Sequence, residues 1–129
     1  MATLLPSALV FTSRVITGAG RGKRLKIPTL NLDLASAPPE LSHGVYAAWV
    51  EFAKQKFQSA MHYGPRPVFK DSVSLEAHLL DADITNPPEQ VTVTVIAHLR
   101  PVEDFKGPEA LKAAIADDIR QTRAILAAQ

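Results

Sequence analysis

The feature that most limits how this chain can fold is a single change of hydrophobic period near its C-terminus. Up to Phe105 the apolar residues come in short alternating or β-branched runs, punctuated by proline, glycine and polar residues. From Gly107 onward they come at helical spacing. Gly107 can cap, Pro108 suits the first helical position, and Glu109 suits the positive end of the helix dipole. Leu111, Ile115, Ile119, Thr122 and Leu126 then recur at spacings of 4, 4, 3 and 4, one stripe of an amphipathic helix. A series of strands followed by one terminal helix predicts a mainly β fold, a small antiparallel sheet or barrel with the helix packed against it.

The strands follow from local pattern. Residues 8–17 are rich in β-branched and apolar types. Residues 27–34 are extended at Pro28, and Leu30, Leu32 and Leu34 alternate with Asn31 and Asp33, so Asn31 points away from whatever the leucines cover. Residues 35–43 contain a Pro-Pro pair and form a loop. Gly44 to Phe52 is the clearest strand; both of its faces are apolar until Glu51, which predicts burial on both sides. Residues 53–56 make a polar turn without the Asn-Gly signal, and residues 57–63 return as the hairpin partner. In residues 74–80, Leu75, Ala77 and Leu79 share one face while Glu76 and His78 share the other. Residues 86–89 are a turn, residues 90–98 a Val- and Thr-rich strand, and residues 100–105 a connector.

A length of 129 residues suits one domain, 1–129, with a real core. The net charge of +1 offers no global attraction to nucleic acid or an anionic membrane. Cysteine is absent, which excludes thiol catalysis and cysteine-ligated zinc and is compatible with a cytoplasmic protein. The N-terminal stretch lacks a basic lead-in and carries Pro6, unlike a signal peptide, and no apolar run is long enough to span a bilayer.

Two stretches carry candidate chemistry. Gly18, Gly20 and Gly22 stand at alternate positions, Arg21, Lys23, Arg24 and Lys26 surround them, and Pro28-Thr29-Leu30-Asn31 follows. Glycine backbones can approach a ligand closely, successive N–H groups form an anion-binding concavity, and Thr and Asn oxygens suit a hard cation. A phosphate-and-magnesium site and a solvated basic turn both fit this pattern. It is neither a Walker A loop nor a dinucleotide fingerprint, because it lacks Gly-Lys-Ser/Thr and a following helix. Glu76, mid-strand beside His78, reads either as a general base or as a half-exposed strand residue. His43, His62, His78 and His98 show no metal-ligand spacing, and no nucleophile motif is present.

Taken together, several segments resemble the riboflavin kinase (flavokinase) domain. They are Gly18-x-Gly20-Arg21-Gly22 leading to Ile27-Pro28-Thr29-x-Asn31-Leu32, then Gly44-Val45-Tyr46-Ala47, Gly64-Pro65-Arg66-Pro67, Leu75-Glu76-x-His78-Leu79-Leu80-Asp81 and Leu99-Arg100-Pro101-x-Glu103-x-Phe105. The terminal helix agrees at Leu111, Lys112, Ile115, Asp117, Asp118 and Ala124, so the likeness runs from about residue 8 to 127. It implies a six-stranded antiparallel barrel of Greek-key type with a C-terminal helix. It implies transfer of the ATP γ-phosphoryl to the 5′-hydroxyl of riboflavin, giving FMN and ADP. In that reading Gly18, Gly20, Gly22 and Lys23 flap over the nucleotide, and Thr29 and Asn31 hold phosphate oxygens and Mg2+. Glu76 is then the catalytic base, and Arg100, Glu103 and Phe105 lie on the flavin side. Relatives that carry an adenylyltransferase domain imply that a longer parent chain could include one.

The chain departs from the family pattern at Lys26, where glycine is usual, at His62, where asparagine is usual, at Val68, where threonine is usual, and in the turn at Asn86-Pro87-Pro88. A catalytically weak flavin- or nucleotide-binding module of the same fold is the alternative these departures motivate, and a CTP-using kinase is a third reading.

Overall fold

The computed structural model describes residues 2–16, 28–65, 72–84 and 86–129. Among them lie six strands: β1 (Thr3–Ile16), β2 (Thr29–Leu32), β3 (Gly44–Phe52), β4 (Gln55–Pro65), β5 (Val73–Leu79) and β6 (Gln90–Arg100). One helix follows, α1 (Pro108–Ala127), and a single 3-10 turn, Leu34–Ser36, sits after β2. The strands close into an antiparallel barrel in the order β1-β2-β5-β4-β3-β6. Strands β3, β4 and β5 run as a meander and β6 returns to lie beside β3, which is a Greek key.

Period-two alternation sorts the side chains. Leu30, Leu32, Tyr46, Ala48, Val50, Met61, Leu75, Ala77, Leu79 and the valines of β6 fill the interior. Val45, Ala47, Ala97 and Leu99 form a second buried cluster with Leu126 of α1 on the outside of the barrel. β3 is therefore buried on both faces, as its unbroken apolar run predicts: one face meets the barrel core and the other meets the helix.

β1 begins earlier than its β-branched run suggests. It pairs with β6 from Thr3, and its register slips between Leu4 and Leu9, the stretch that contains Pro6. Proline has no N–H to give to the ladder, so an irregular segment is where a strand tolerates it. The helix starts at Pro108 after Gly107, with Glu109 in its first turn. Its seated face is rotated from the predicted stripe. Ile115 is 44% exposed, whereas Asp118, Thr122 and Leu126 are buried.

Candidate active site

The register of the short β2 against β5 decides what the barrel surface carries. Asn31 lies opposite Glu76, Leu30 opposite Ala77, and Thr29 opposite His78. Leu30 and Ala77 belong to the interior core, so alternation turns Thr29, Asn31, Glu76 and His78 outward together. β4 extends both rows, with His62 opposite Glu76 and Ala60 opposite His78. Continuing through β3 to β6, His62 faces Val45 and Val45 faces Arg100. One row of cross-strand partners thus carries Asn31, Glu76, His62, Val45 and Arg100. The adjacent row carries Thr29, His78, Ala60, Ala47 and Ala97. Small side chains at the far end of that second row let α1 sit close to the sheet, and the polar residues are left at its flank.

Within the patch, Thr29 Oγ1 is 2.9 Å from His78 Nδ1, and His78 Nε2 is 4.0 Å from Glu76 Oε1. The Glu76 side chain is 19% exposed. Partial burial pushes the half-exposed His78 imidazole below its ordinary value, opposed by the negative charges of Glu76 and Asp118 and reinforced by His62. His62 is held through both ring nitrogens: Nε2–H donates to the Pro65 carbonyl at 3.1 Å, and the Ser74 hydroxyl donates to Nδ1 at 3.4 Å. The side chain that replaces the family's usual asparagine therefore braces the facing ends of β4 and β5.

The three residues expected on the flavin side form one cluster. Arg100 donates from Nε and Nη2 to the two carboxylate oxygens of Asp118, each at 2.9 Å. Its Nη1 lies 3.8 Å from Glu103 Oε1, and its guanidinium carbon sits 5.4 Å from the centre of the Phe105 ring, within cation–π range. Asp118 is 4% exposed and was not singled out from sequence as a site residue. A signal for it existed: it falls three residues after Ile115 and four before Thr122, a carboxylate inside an apolar stripe. Such an acid is tolerated only when a cation reaches it.

Gly18, Gly20, Gly22 and Lys23, expected to contact the nucleotide, lie outside the described residues, as do Lys26 and Val68. Among the described residues, no group of three or more His, Cys, Asp or Glu gathers to hold a metal. What the patch offers is oxygen: the Thr29 hydroxyl, the Asn31 amide and the Glu76 carboxylate on neighbouring strands. That donor set fits Mg2+, which prefers oxygen, keeps several waters and takes few protein ligands when substrate phosphates supply the rest.

Comparison with known proteins agrees with this geometry. A model of the riboflavin kinase (flavokinase) family matches residues 5–126. Human riboflavin kinase is 29% identical over 119 residues, covering 85% of this chain and 76% of that protein. The bifunctional riboflavin kinase/FMN adenylyltransferase of Pseudomonas fluorescens is 32% identical over 126 residues, covering 96% of this chain and 40% of that protein. Among solved structures, a macrolide-efflux protein from Streptococcus pneumoniae matches with a TM-score of 0.74 at 26% identity, over 91% of this chain and 39% of that one. The efflux activity in that name stays with that protein; what the chains share is the barrel. With a family match over nearly its whole length, on a closed Greek-key barrel whose outer face carries Thr29, Asn31 and Glu76, this chain belongs to the riboflavin kinase family.

Proposed function

We infer that this chain is an ATP:riboflavin 5′-phosphotransferase, with residues 1–129 acting as one unit. The bond between the β,γ-bridging oxygen and the γ-phosphorus of ATP breaks, a bond from the riboflavin 5′-oxygen to that phosphorus forms, and FMN and ADP leave. The observation that carries the reading is the shared row on the barrel surface: Asn31 beside Glu76, with the Arg100 cluster farther along the same row.

In this reading Glu76 takes the proton from the 5′-hydroxyl as that oxygen attacks. Its partly buried setting supports the role, since a base shielded from bulk water keeps its orientation. Thr29 and Asn31 would hold Mg2+ and phosphate oxygens; the bound ion supplies neutralisation of the phosphate charge. Phosphoryl transfer asks mainly for positioning and charge neutralisation, and two carboxylate- or amide-bearing strands in fixed register supply the positioning. Three strand spacings, about 14 Å along the sheet, separate Glu76 from Arg100. A tricyclic flavin ring lying along the row from Arg100, Glu103 and Phe105 and its extended ribityl chain would together cover that distance toward Glu76.

The test is to incubate the protein with riboflavin, Mg2+ and ATP and to follow FMN by chromatography, with CTP as a parallel donor. FMN formed with ATP is the expected result. Quenching of flavin fluorescence with no FMN identifies a binding module instead, and FMN formed only with CTP reassigns the donor. Asn31→Ala is expected to weaken the magnesium dependence of the rate far more than riboflavin binding.

The proposed setting is the cytoplasm, where ATP and free riboflavin meet; among the described residues no helix is long and apolar enough to cross a membrane. The bifunctional relatives, of whose length this chain covers 40% and 38%, suggest an adenylyltransferase as a partner within a longer parent chain. Immunoblotting of source cells for a species larger than this chain tests that arrangement.

A further inference from the structure

The contact between Thr29 and His78 is a direct side-chain hydrogen bond between adjacent strands, and the chemistry described above leaves it unused. Thr29 Oγ1 and His78 Nδ1 are 2.9 Å apart at directly opposed positions of β2 and β5. A threonine hydroxyl has one proton and two lone pairs. To serve a cation and its phosphates, the oxygen must turn its lone pairs outward and send its proton elsewhere. His78 Nδ1 is in position to receive that proton. The other ring nitrogen must then carry hydrogen, and it faces the Glu76 carboxylate, with Nε2 4.0 Å from Oε1. The order Thr29 O–H to Nδ1, then Nε2–H toward Glu76, uses each donor and acceptor once. The opposite order would point the Thr29 lone pairs at the imidazole and bring a bare Nε2 against a carboxylate, which repels it.

We propose that His78 is a positioning residue: by accepting the Thr29 hydroxyl proton at Nδ1 it orients the Thr29 oxygen toward the magnesium–nucleotide, while its Nε2–H faces Glu76. This rests on Thr29 being a ligand in the kinase reading. β2 is four residues long, so its backbone ladder alone offers little to hold the Thr29 rotamer. Ordering a ligand through a neighbouring hydrogen bond commonly changes metal affinity by about 10–100-fold.

The test reads binding rather than turnover. ADP affinity is measured by calorimetry with and without Mg2+, and riboflavin affinity by fluorescence, for the parent, Thr29→Val, His78→Phe and His78→Asn. In His78→Phe the Mg2+-dependent gain in ADP affinity should fall by about 10-fold or more, while metal-free ADP and riboflavin affinities stay near the parent's. In His78→Asn, whose side-chain oxygen can accept from Thr29, most of the gain should return. Nitrogen-15 NMR of the imidazole in the parent should show the Nε2–H form. A parental gain in His78→Phe, failure of His78→Asn to exceed His78→Phe, or an Nδ1–H ring each overturns the proposal. Thr29→Val separates the two levels: loss of the gain there with retention in His78→Phe defeats the role of His78 alone, whereas retention in Thr29→Val removes Thr29 from the metal site and the proposal with it.

Discussion

At Glu76 a carboxylate is flanked across the sheet by Asn31 on one side and His62 on the other, with His78 two residues along its own strand. Its value lies in where it can take a proton, not in volume, so an isosteric change isolates the chemistry. Glu76→Gln is expected to lower kcat for FMN formation by about 10²–10⁴ and to leave riboflavin affinity near the parent's. Steady-state rates together with a fluorescence titration check it, and parental turnover would remove Glu76 as the base. His78 supports a separate prediction about stability. Its folded-state value is lowered, so between that value and the ordinary 6.5 the unfolded chain binds more protons. The stabilisation is therefore complete above about pH 6.5 and is lost as pH falls through the window below it. The half-exposed ring and its charged neighbours Glu76, His62 and Asp118 keep the effect modest. Urea unfolding at pH 5.5 and 7.5 should show a smaller pH difference in His78→Asn than in the parent. The membership of Thr29, Asn31 and Glu76 in motif segments was legible in the sequence, because those patterns are local. The bond from Thr29 to His78 was not, since it depends on strand register.

At the scale of elements, the β3–β4 hairpin shows a local rule overridden. Ala53 and Lys54 both take left-handed backbone angles, φ 51° and 61°, the signature of a two-residue type I′ turn. That turn favours Asn-Gly, and the absence of those residues is why the sequence marks it only as a polar connection. Nine paired positions from Gly44↔Tyr63 to Phe52↔Gln55 hold the hairpin in register despite the strain. The double change Ala53→Asn, Lys54→Gly should relieve it and raise unfolding stability by about 1 kcal/mol, read from the urea midpoint with an unchanged slope. The helix shows a second override. Propensity and period locate α1 at Pro108, yet its buried face includes Asp118 in preference to Ile115. The paired hydrogen bonds from Arg100 offset the cost of burying that carboxylate, and they tie the helix to the end of β6.

Across the whole molecule, β3 separates two cores, the barrel interior and the layer beneath α1. Leu126 is 1% exposed in the outer layer, against Val45, Ala47, Ala97 and Leu99. Leu126→Ala should cost about 2–5 kcal/mol. Because β3 and β6 belong to both layers, the loss should appear as one cooperative transition. Trp49 is the chain's single tryptophan and packs against the outer layer, so its fluorescence should change at the same midpoint as the far-ultraviolet signal of the barrel. Separate midpoints would show that the helix layer melts independently.

The sequence by itself determined the elements and the chemical types: alternating runs become strands, Pro108 with its stripe becomes a helix, and the motif residues mark a kinase-like barrel. These are effects of sterics and solvation acting within a few residues. Only the tertiary structure decided that β2 lies beside β5, although β3 and β4 intervene in the chain. That neighbour relation brings Asn31 to Glu76 and Thr29 to His78, and it turns all four outward from the core. Burial of Leu30 and Leu32 fixes that register, because a one-residue slip in β2 would bury Thr29 and Asn31 and expose the two leucines. The sheet pairing carries Arg100 onto the row of Glu76, and the docking of α1 against the barrel gives Asp118 the cation that its burial requires. Neither outcome follows from local pattern, since each joins residues that only the packed tertiary structure makes neighbours.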